Sequence, residues 1–226
     1  MLDERLSLVA AMYEPCQWGA DIGTDHALLP RHLLMNGVCQ HMIAADVSEG
    51  ALANAKATLT RSHLLERAEL ILADGLAAIT RPCGCVSISG MGGETMATIL
   101  RDGADKLSGA VLVLSAHTEP ELVRRAIVDI GYHLVREELC RAAGRFYLCW
   151  RAEPGAGSLT ADEIRFGSLL WHTGSPLLRD YATWRRNVAR KRLDGLRAAA
   201  APDTDAILSI SHEVAFYENK MEVLPC

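Results

Sequence analysis

Short apolar runs along the first 150 residues alternate with longer segments of helical periodicity. That order builds a mainly parallel sheet with crossover helices. Strands are predicted near residues 19–22, 42–45, 70–73, 86–89 and 111–114. Between them the spacing predicts helices over 3–12, over 48–59 with Ser48 placed to cap the first turn, and over 119–130. Pro120 near the start of the last helix and Gly131 just past its end bracket it. The pattern then changes: extended runs at 132–139 and 145–152, joined by CRAAG, predict an antiparallel hairpin that closes the sheet edge.

Strand signals stop at PGAGS, residues 154–158, so a domain boundary is expected there, with one domain over 1–153 and another over 158–226. In the second, Leu177, Tyr181, Trp184 and Val188 form one apolar stripe, and Ile207, Ile210, Val214, Tyr217 and Met221 form another. Two stripes separated by AAAAPDTD predict a helical hairpin or short coiled coil. At about 100° per residue, Arg179, Arg186, Arg190 and Arg197 fall opposite the first stripe, so the apolar face should pack and the arginine face look outward.

Composition narrows the class. Half of the 226 residues are apolar, no apolar run approaches the ~20 residues of a membrane span, and no secretory leader is visible, so a soluble cytoplasmic protein without membrane contact is expected. A monomer is the further expectation, which no sequence feature decides. Seven cysteines, an odd number, give no complete disulfide framework. The Cys83-Gly84-Cys85 pair lacks a second ligand pair, and no metal is expected. The formal charge of −5 argues against a nucleic-acid partner until it is divided along the chain. Between Arg179 and Arg197, seven basic residues meet only Asp180 and Asp194, a local excess of +5. Such an excess is an electrostatic footprint for RNA, although an arginine stripe is also an ordinary solvated helix face.

The candidate chemistry sits at strand ends. The first strand runs into Asp21, Gly23, Thr24, Asp25 and His26; the second ends at Asp46, the third at Asp74-Gly75, the fourth at Ser89-Gly90-Met91-Gly92-Gly93. In open α/β sheets the crevice beyond the carboxyl ends of the strands takes the ligand, so four strand ends should furnish one site. A dinucleotide fold would carry GxGxxG, but this loop has Gly23 alone, and a pyrophosphate would face Asp21 and Asp25. S-adenosylmethionine presents a sulfonium and an ammonium and no phosphate, and an acidic loop favours it. Asp46 is placed for ribose hydroxyls and Asp74 for an adenine amino group. Each aspartate taken singly reads equally well as a helix cap or turn residue.

ADIGTDHALLP, ADGL at 73–76, SGMGG at 89–93, the hairpin strands and the helical tail together resemble the bacterial tRNA (adenine(22)-N(1))-methyltransferases, the TrmK family, over nearly the whole chain. The resemblance implies a class I, Rossmann-like methyltransferase with a seven-stranded sheet and a C-terminal coiled coil that grips RNA. It also implies S-adenosylmethionine as donor and tRNA as substrate, methylated at N1 of an adenine. On that reading Asp21, Gly23, Thr24, Asp46, Asp74, Gly75, Ser89 and Gly90 hold the cofactor. Asp25 either stabilises the charge that develops on the adenine, with His26 orienting it, or binds only the cofactor's amino acid end while His26 caps a helix. Leu28, Met91, Gly92, Gly93, His117 and Arg5 face the substrate, and Arg179, Arg186 and Arg190 contact phosphates. Leu28 stands where the family often has Tyr, and Ser115-Ala116-His117 where it often has QPN, so base stacking must come from another side chain. His117 is also readable as a plain loop residue, and Arg5 as a solvated helix charge. Two other functions fit the same fold: a methyltransferase for a small molecule or protein, and a non-catalytic RNA-binding module.

Overall fold

The computed structural model describes residues 2–199 and 201–224. Seven strands, β1 Cys16–Ile22, β2 Cys39–Asp46, β3 Ala68–Leu72, β4 Cys85–Met91, β5 Val111–Ala116, β6 Tyr132–Ala142 and β7 Arg145–Pro154, form one sheet in the order β3-β2-β1-β4-β5-β7-β6. Strands β1 to β5 pair in parallel, whereas β7 runs antiparallel to both β5 and β6. The chain steps outward from β1 to β3, then returns to the other side of β1 for β4 and β5. The strand order therefore reverses between β1 and β4, which opens the crevice at their carboxyl ends.

All seven predicted strands form, mostly with extra residues at their ends. The additions include Gln40 and His41 on β2, which ladder pairing recruits regardless of hydropathy. Helices cover both faces of the sheet as crossovers should. Asp3 caps α1, Glu4–Ala11, by accepting the Leu6 N–H at 2.7 Å, and Ser48 caps α3, Glu49–Arg61, through Ala51 at 3.3 Å. Pro120 opens α5, Pro120–Asp129, at its first helical position, while α2, Leu28–Met35, and α4, Gly93–Asp102, begin without a side-chain cap.

The division of the chain differs from the expected one. Its compact units are Met1–Thr173 and Gly174–Cys226, so the boundary lies beyond the 154–158 linker. Residues 161–172, with α6 at Ala161–Phe166, stay with the sheet because a buried ion pair holds them. Arg124 is 1 % and Glu137 0 % exposed, and they pair at 2.7 Å. Glu137 also accepts from Trp150 Nε1 at 2.7 Å and from the Leu170 N–H at 3.1 Å, while Arg124 donates to the Ile164 carbonyl at 3.0 Å. No hydropathy pattern announces that anchor.

In the second unit, α7 Leu178–Arg197 and α8 Thr204–Val223 pack antiparallel along Ala189, Leu193, Ile210 and Val214. The α8 stripe holds through Ile210, Val214 and Tyr217, but the α7 stripe holds only at its start: Tyr181 is buried, whereas Trp184 is 46 % and Val188 51 % exposed. The buried seam follows Leu178, Tyr181, Ala182, Ala189 and Leu193, with Arg185 beside it, paired to Glu213 at 2.9 Å. Small alanines let the helices approach, a signal weaker in sequence than Trp or Val. The arginines consequently flank the seam rather than oppose it, and Arg179 donates to the Leu224 carbonyl.

Replacing Arg124 with Met strands the Glu137 carboxylate in the core. We expect urea unfolding to show a loss of about 3–5 kcal/mol, against less than about 1 kcal/mol for removing the exposed Arg101–Asp129 pair. Similar losses for both would contradict the anchoring role.

Candidate active site

The carboxyl end of β1 places an acidic side chain out of water. Asp21 is 4 % exposed and accepts a 2.6 Å hydrogen bond from Ser87 Oγ on β4. Ser87 in turn accepts from the Tyr13 hydroxyl at 2.7 Å, and the Ala20 carbonyl lies within reach of both hydroxyls. Burial raises the Asp21 carboxyl to about 6, against the opposing pull of Ser87 and the Arg5 charge. Burial also pushes the Tyr13 phenol well up, so it stays a donor.

The loop beyond is pinned to its neighbour strand. Gly23, at φ 76°, and Thr24 both donate to the Ala45 carbonyl at 2.9 Å. Asp46 at the end of β2 accepts from the Asp25 N–H at 3.2 Å and the Ser48 N–H at 3.0 Å, one on each oxygen. Asp25 and Ala27 hold left-handed backbone, φ 47° and 51°, a conformation that strains non-glycine residues. The side chains of Asp25 and His26 are exposed and 3.6 Å apart. His26 caps no helix, since α2 starts after Ala27 without a side-chain cap.

These residues enclose a cavity of about 310 Å³. Asp21, Gly23, Thr24, Asp25 and His26 form one wall, Ser89 and Gly90 a second, and Arg5, Leu28 and His117 the remainder. Arg5 Nη1 is buried there with no hydrogen-bond partner in the protein, and Thr24 Oγ1 lies close enough to the Asp21 carboxyl to help hold it down but makes no well-formed hydrogen bond, the condition of polar atoms that await a ligand. Arg5 also lies over the Tyr147 ring at 5.6 Å, and His117 meets the same ring edge-on at 5.5 Å. Desolvation lowers the His117 basicity, helped by the Arg5 and Arg145 charges, which keeps its imidazole neutral at neutral pH.

Other predicted site residues lie elsewhere. Asp74 and Gly75 line a second hollow of about 160 Å³ with Thr98, Ile99 and Asp102, and Asp46 lines neither cavity. Met91, Gly92 and Gly93 lie outside the larger cavity, and Gly93 has a structural reason to be glycine: a Cβ there would come within 2.4 Å of the Glu119 carbonyl oxygen. Arg179, Arg186 and Arg190 belong to the second compact unit. Sequence reasoning missed Tyr13, Ser87 and Tyr147, because each owes its place to pairing between distant strands and helices. Asp3, expected as the first residue of a helix, is instead its N-cap, and it also reaches the cavity wall.

The raised Asp21 carboxyl links stability to pH. Folding favours its protonated form, so its contribution is fully present below about pH 4 and is lost as pH rises through about 6. Asp21→Asn should therefore be more stable than the parent at pH 7.5, by about 2–3 kcal/mol, with the gain vanishing by pH 4. Urea unfolding across that range checks this, and a pH-independent difference would refute it.

Residues 2–149 match the family model described as a methyltransferase domain. A tRNA (adenine(22)-N(1))-methyltransferase of Bacillus subtilis (strain 168) is 32% identical over 165 residues, covering 72% of this chain and 69% of that one. The crystal structure of Sp1610 from Streptococcus pneumoniae, a candidate tRNA (m1A22) methyltransferase, superposes with a TM-score of 0.88 at 29% identity, over 98% of this chain and 100% of its own. The same Streptococcus protein in complex with S-adenosyl-L-methionine gives a TM-score of 0.84 at 29% identity, again over 98% and 100% of the two chains. Strand order, hairpin edge, acidic loop and overall kinship converge, and the chain belongs to the tRNA (adenine(22)-N(1))-methyltransferase family.

Proposed function

We propose that this protein transfers the methyl group of S-adenosylmethionine to N1 of an adenine in the body of tRNA, adenine 22. The observation that carries the reading is the buried Asp21 carboxylate beside a cavity with unpartnered polar atoms, at the switch point of a sheet whose relatives share this activity.

The residues fit the cofactor. A cationic ligand compensates the ionised form of Asp21, and the Thr24 hydroxyl, only loosely set against that carboxyl, gains a well-formed partner. Asp46 keeps lone pairs free for ribose hydroxyls after accepting its two backbone bonds, and Asp74 with Gly75 lines the hollow suited to the purine. Bound S-adenosylmethionine supplies an electrophilic methyl group on sulfur. Adenine N1 already carries a lone pair, so no base need remove a proton and the chain's work is positioning. N1 lies on the pairing edge, so the base must be unpaired or extruded before it enters. Leu28 offers it packing without a π face; neutral His117, backed by Tyr147, offers a ring that does not repel the methylated, positively charged product. Asp25, at the cavity rim with His26 beside it, is the carboxylate placed to stabilise that charge.

In the helical unit, Arg190 is paired with Glu218 and Arg185 with Glu213, so part of the local excess of +5 is neutralised by α8. Arg186, whose polar partner is the neutral Asn187, and the exposed Lys191, Arg192 and Arg197 remain as phosphate contacts. The described cysteines are free thiols, which supports a reducing, cytoplasmic setting.

Incubation with labelled S-adenosylmethionine and unmodified tRNA should yield N1-methyladenosine on nucleoside analysis. Asp25→Ala should cut turnover by about tenfold to a hundredfold while cofactor affinity changes much less. An equal loss in both would assign Asp25 to cofactor binding alone. Replacing Arg186 and Arg192 together with Ala should weaken tRNA binding and flatten its log–log salt dependence by about 1.4–1.8, whereas Arg190→Ala, already paired with Glu218, should change the slope much less. An unchanged slope would leave the arginines as solvated surface.

A further inference from the structure

The amino ends of β1 and β2 carry two thiols that the methyl-transfer reading leaves unused. Cys16 and Cys39 are direct partners in the parallel ladder, with sulfur atoms 3.4 Å apart. Neighbouring strands lie about 4.8 Å apart, inside the ~4.4–6.8 Å Cα separation that a disulfide spans. Two glycines clear the space around the sulfurs: a Cβ on Gly19 would come within 2.9 Å of Cys39 Sγ, and one on Gly84 within 2.7 Å of Cys16 Cβ. Among the described residues no three His, Cys, Asp or Glu side chains gather to hold a metal, so the thiols are not part of a metal site there.

We propose that Cys16 and Cys39 are a reversible oxidation site for hydroperoxides, with Cys16 the attacking thiol and Cys39 the resolving one. The two are unequal in access: Cys16 is partly exposed, whereas Cys39 is 0 % exposed. They are unequal in acidity as well. The hydrogen bond from Cys39 lowers the Cys16 thiol, the Cys85 backbone N–H adds to the effect, and the same bond together with burial raises Cys39. Cys83 and Cys85 are buried with raised thiols, Cys83 to about 11, and compete poorly as nucleophiles.

The chemistry closes without another reagent. The Cys16 thiolate attacks one hydroperoxide oxygen, the O–O bond breaks, and an alcohol or water leaves with the proton, giving Cys16 sulfenic acid. Cys39 sulfur then attacks Cys16 sulfur, the S–O bond breaks, and water leaves with the Cys39 proton. Two thiols have lost two electrons to the peroxide, and an added dithiol reverses the change. The bond forms at the edge of the sheet opposite the cavity, since the seven residues of β1 rise about 3.3 Å each. Its formation is therefore a readout independent of cofactor or tRNA.

Tryptic mapping isolates the pair, because peptide 6–31 contains Cys16 and peptide 32–56 contains Cys39 as its sole cysteine. The folded full-length protein treated with hydrogen peroxide, then alkylated and digested, should yield these peptides joined and separable by dithiothreitol. With dimedone present, Cys39→Ser should be tagged at Cys16, and Cys16→Ser should leave Cys39 untagged. Full alkylation of either thiol after peroxide treatment, Cys16 joined to another cysteine, or dimedone on Cys39 in C16S as fast as on Cys16 in C39S would overturn the proposal.

Discussion

A carboxylate excluded from water at the switch point of the sheet sets the terms for the rest of the site. Ionised Asp21 is costly in a dry environment, and the fold offsets that cost only in part through the Tyr13–Ser87–Asp21 chain and the Arg5 charge. A hydroxyl donates one bond, and Arg5 leaves a nitrogen unpartnered. On the proposed function the remaining deficit is the recognition element, which a cation entering the cavity would complete. The same residue is thus a liability for folding near neutral pH and an asset for binding a sulfonium donor. Stability given up at an active site in this way is common where function requires a preformed charge.

Such a site works only if its loop does not relax to satisfy the charge itself. Gly23 and Thr24 are held by the Ala45 carbonyl, and the Asp25 amide by Asp46. Left-handed backbone at Asp25 and Ala27 is strained by about 1–3 kcal/mol per residue, and these bonds keep it in place. Asp46 is therefore a turn residue by its two backbone bonds, and the ribose contact proposed for it is compatible with them. In that backbone conformation Asp25 lines the cavity.

Legibility in sequence followed the range of the interactions. Strands and caps depend on neighbours within a few residues, so Ser48, Pro120 and the seven strand runs could be read directly. The strand-end aspartates were legible because topology brings every parallel strand's carboxyl end to one edge. Their partition was not: Asp21 enters one cavity, Asp74 another, and Asp46 bonds to the loop between strands. Tyr147 was invisible as the ring behind His117, since its place depends on β7 inserting antiparallel next to β5. The domain boundary was misplaced for a related reason, because the Arg124–Glu137 pair joins residues whose charges, in sequence, belong to solvated faces.

The helical tail shows how periodicity misleads when a charge sits beside a seam. The strongest apolar side chains of α7 on the predicted stripe, Trp184 and Val188, remain half exposed, while Arg185 is held between the helices by Glu213. Burying an ion pair rarely adds stability over an apolar pair, but it discriminates between registers, because a slip along the hairpin would leave both charges unpaired. Arg190 with Glu218 adds a second link between the helices, but an exposed one, which discriminates less. The two pairs also redistribute the basic excess, since a guanidinium held by a carboxylate attracts phosphate less strongly than a free one. A strip of exposed Trp184 and Val188 on one flank and arginine on the other suits single-stranded or bulged RNA, which offers base faces as well as phosphates.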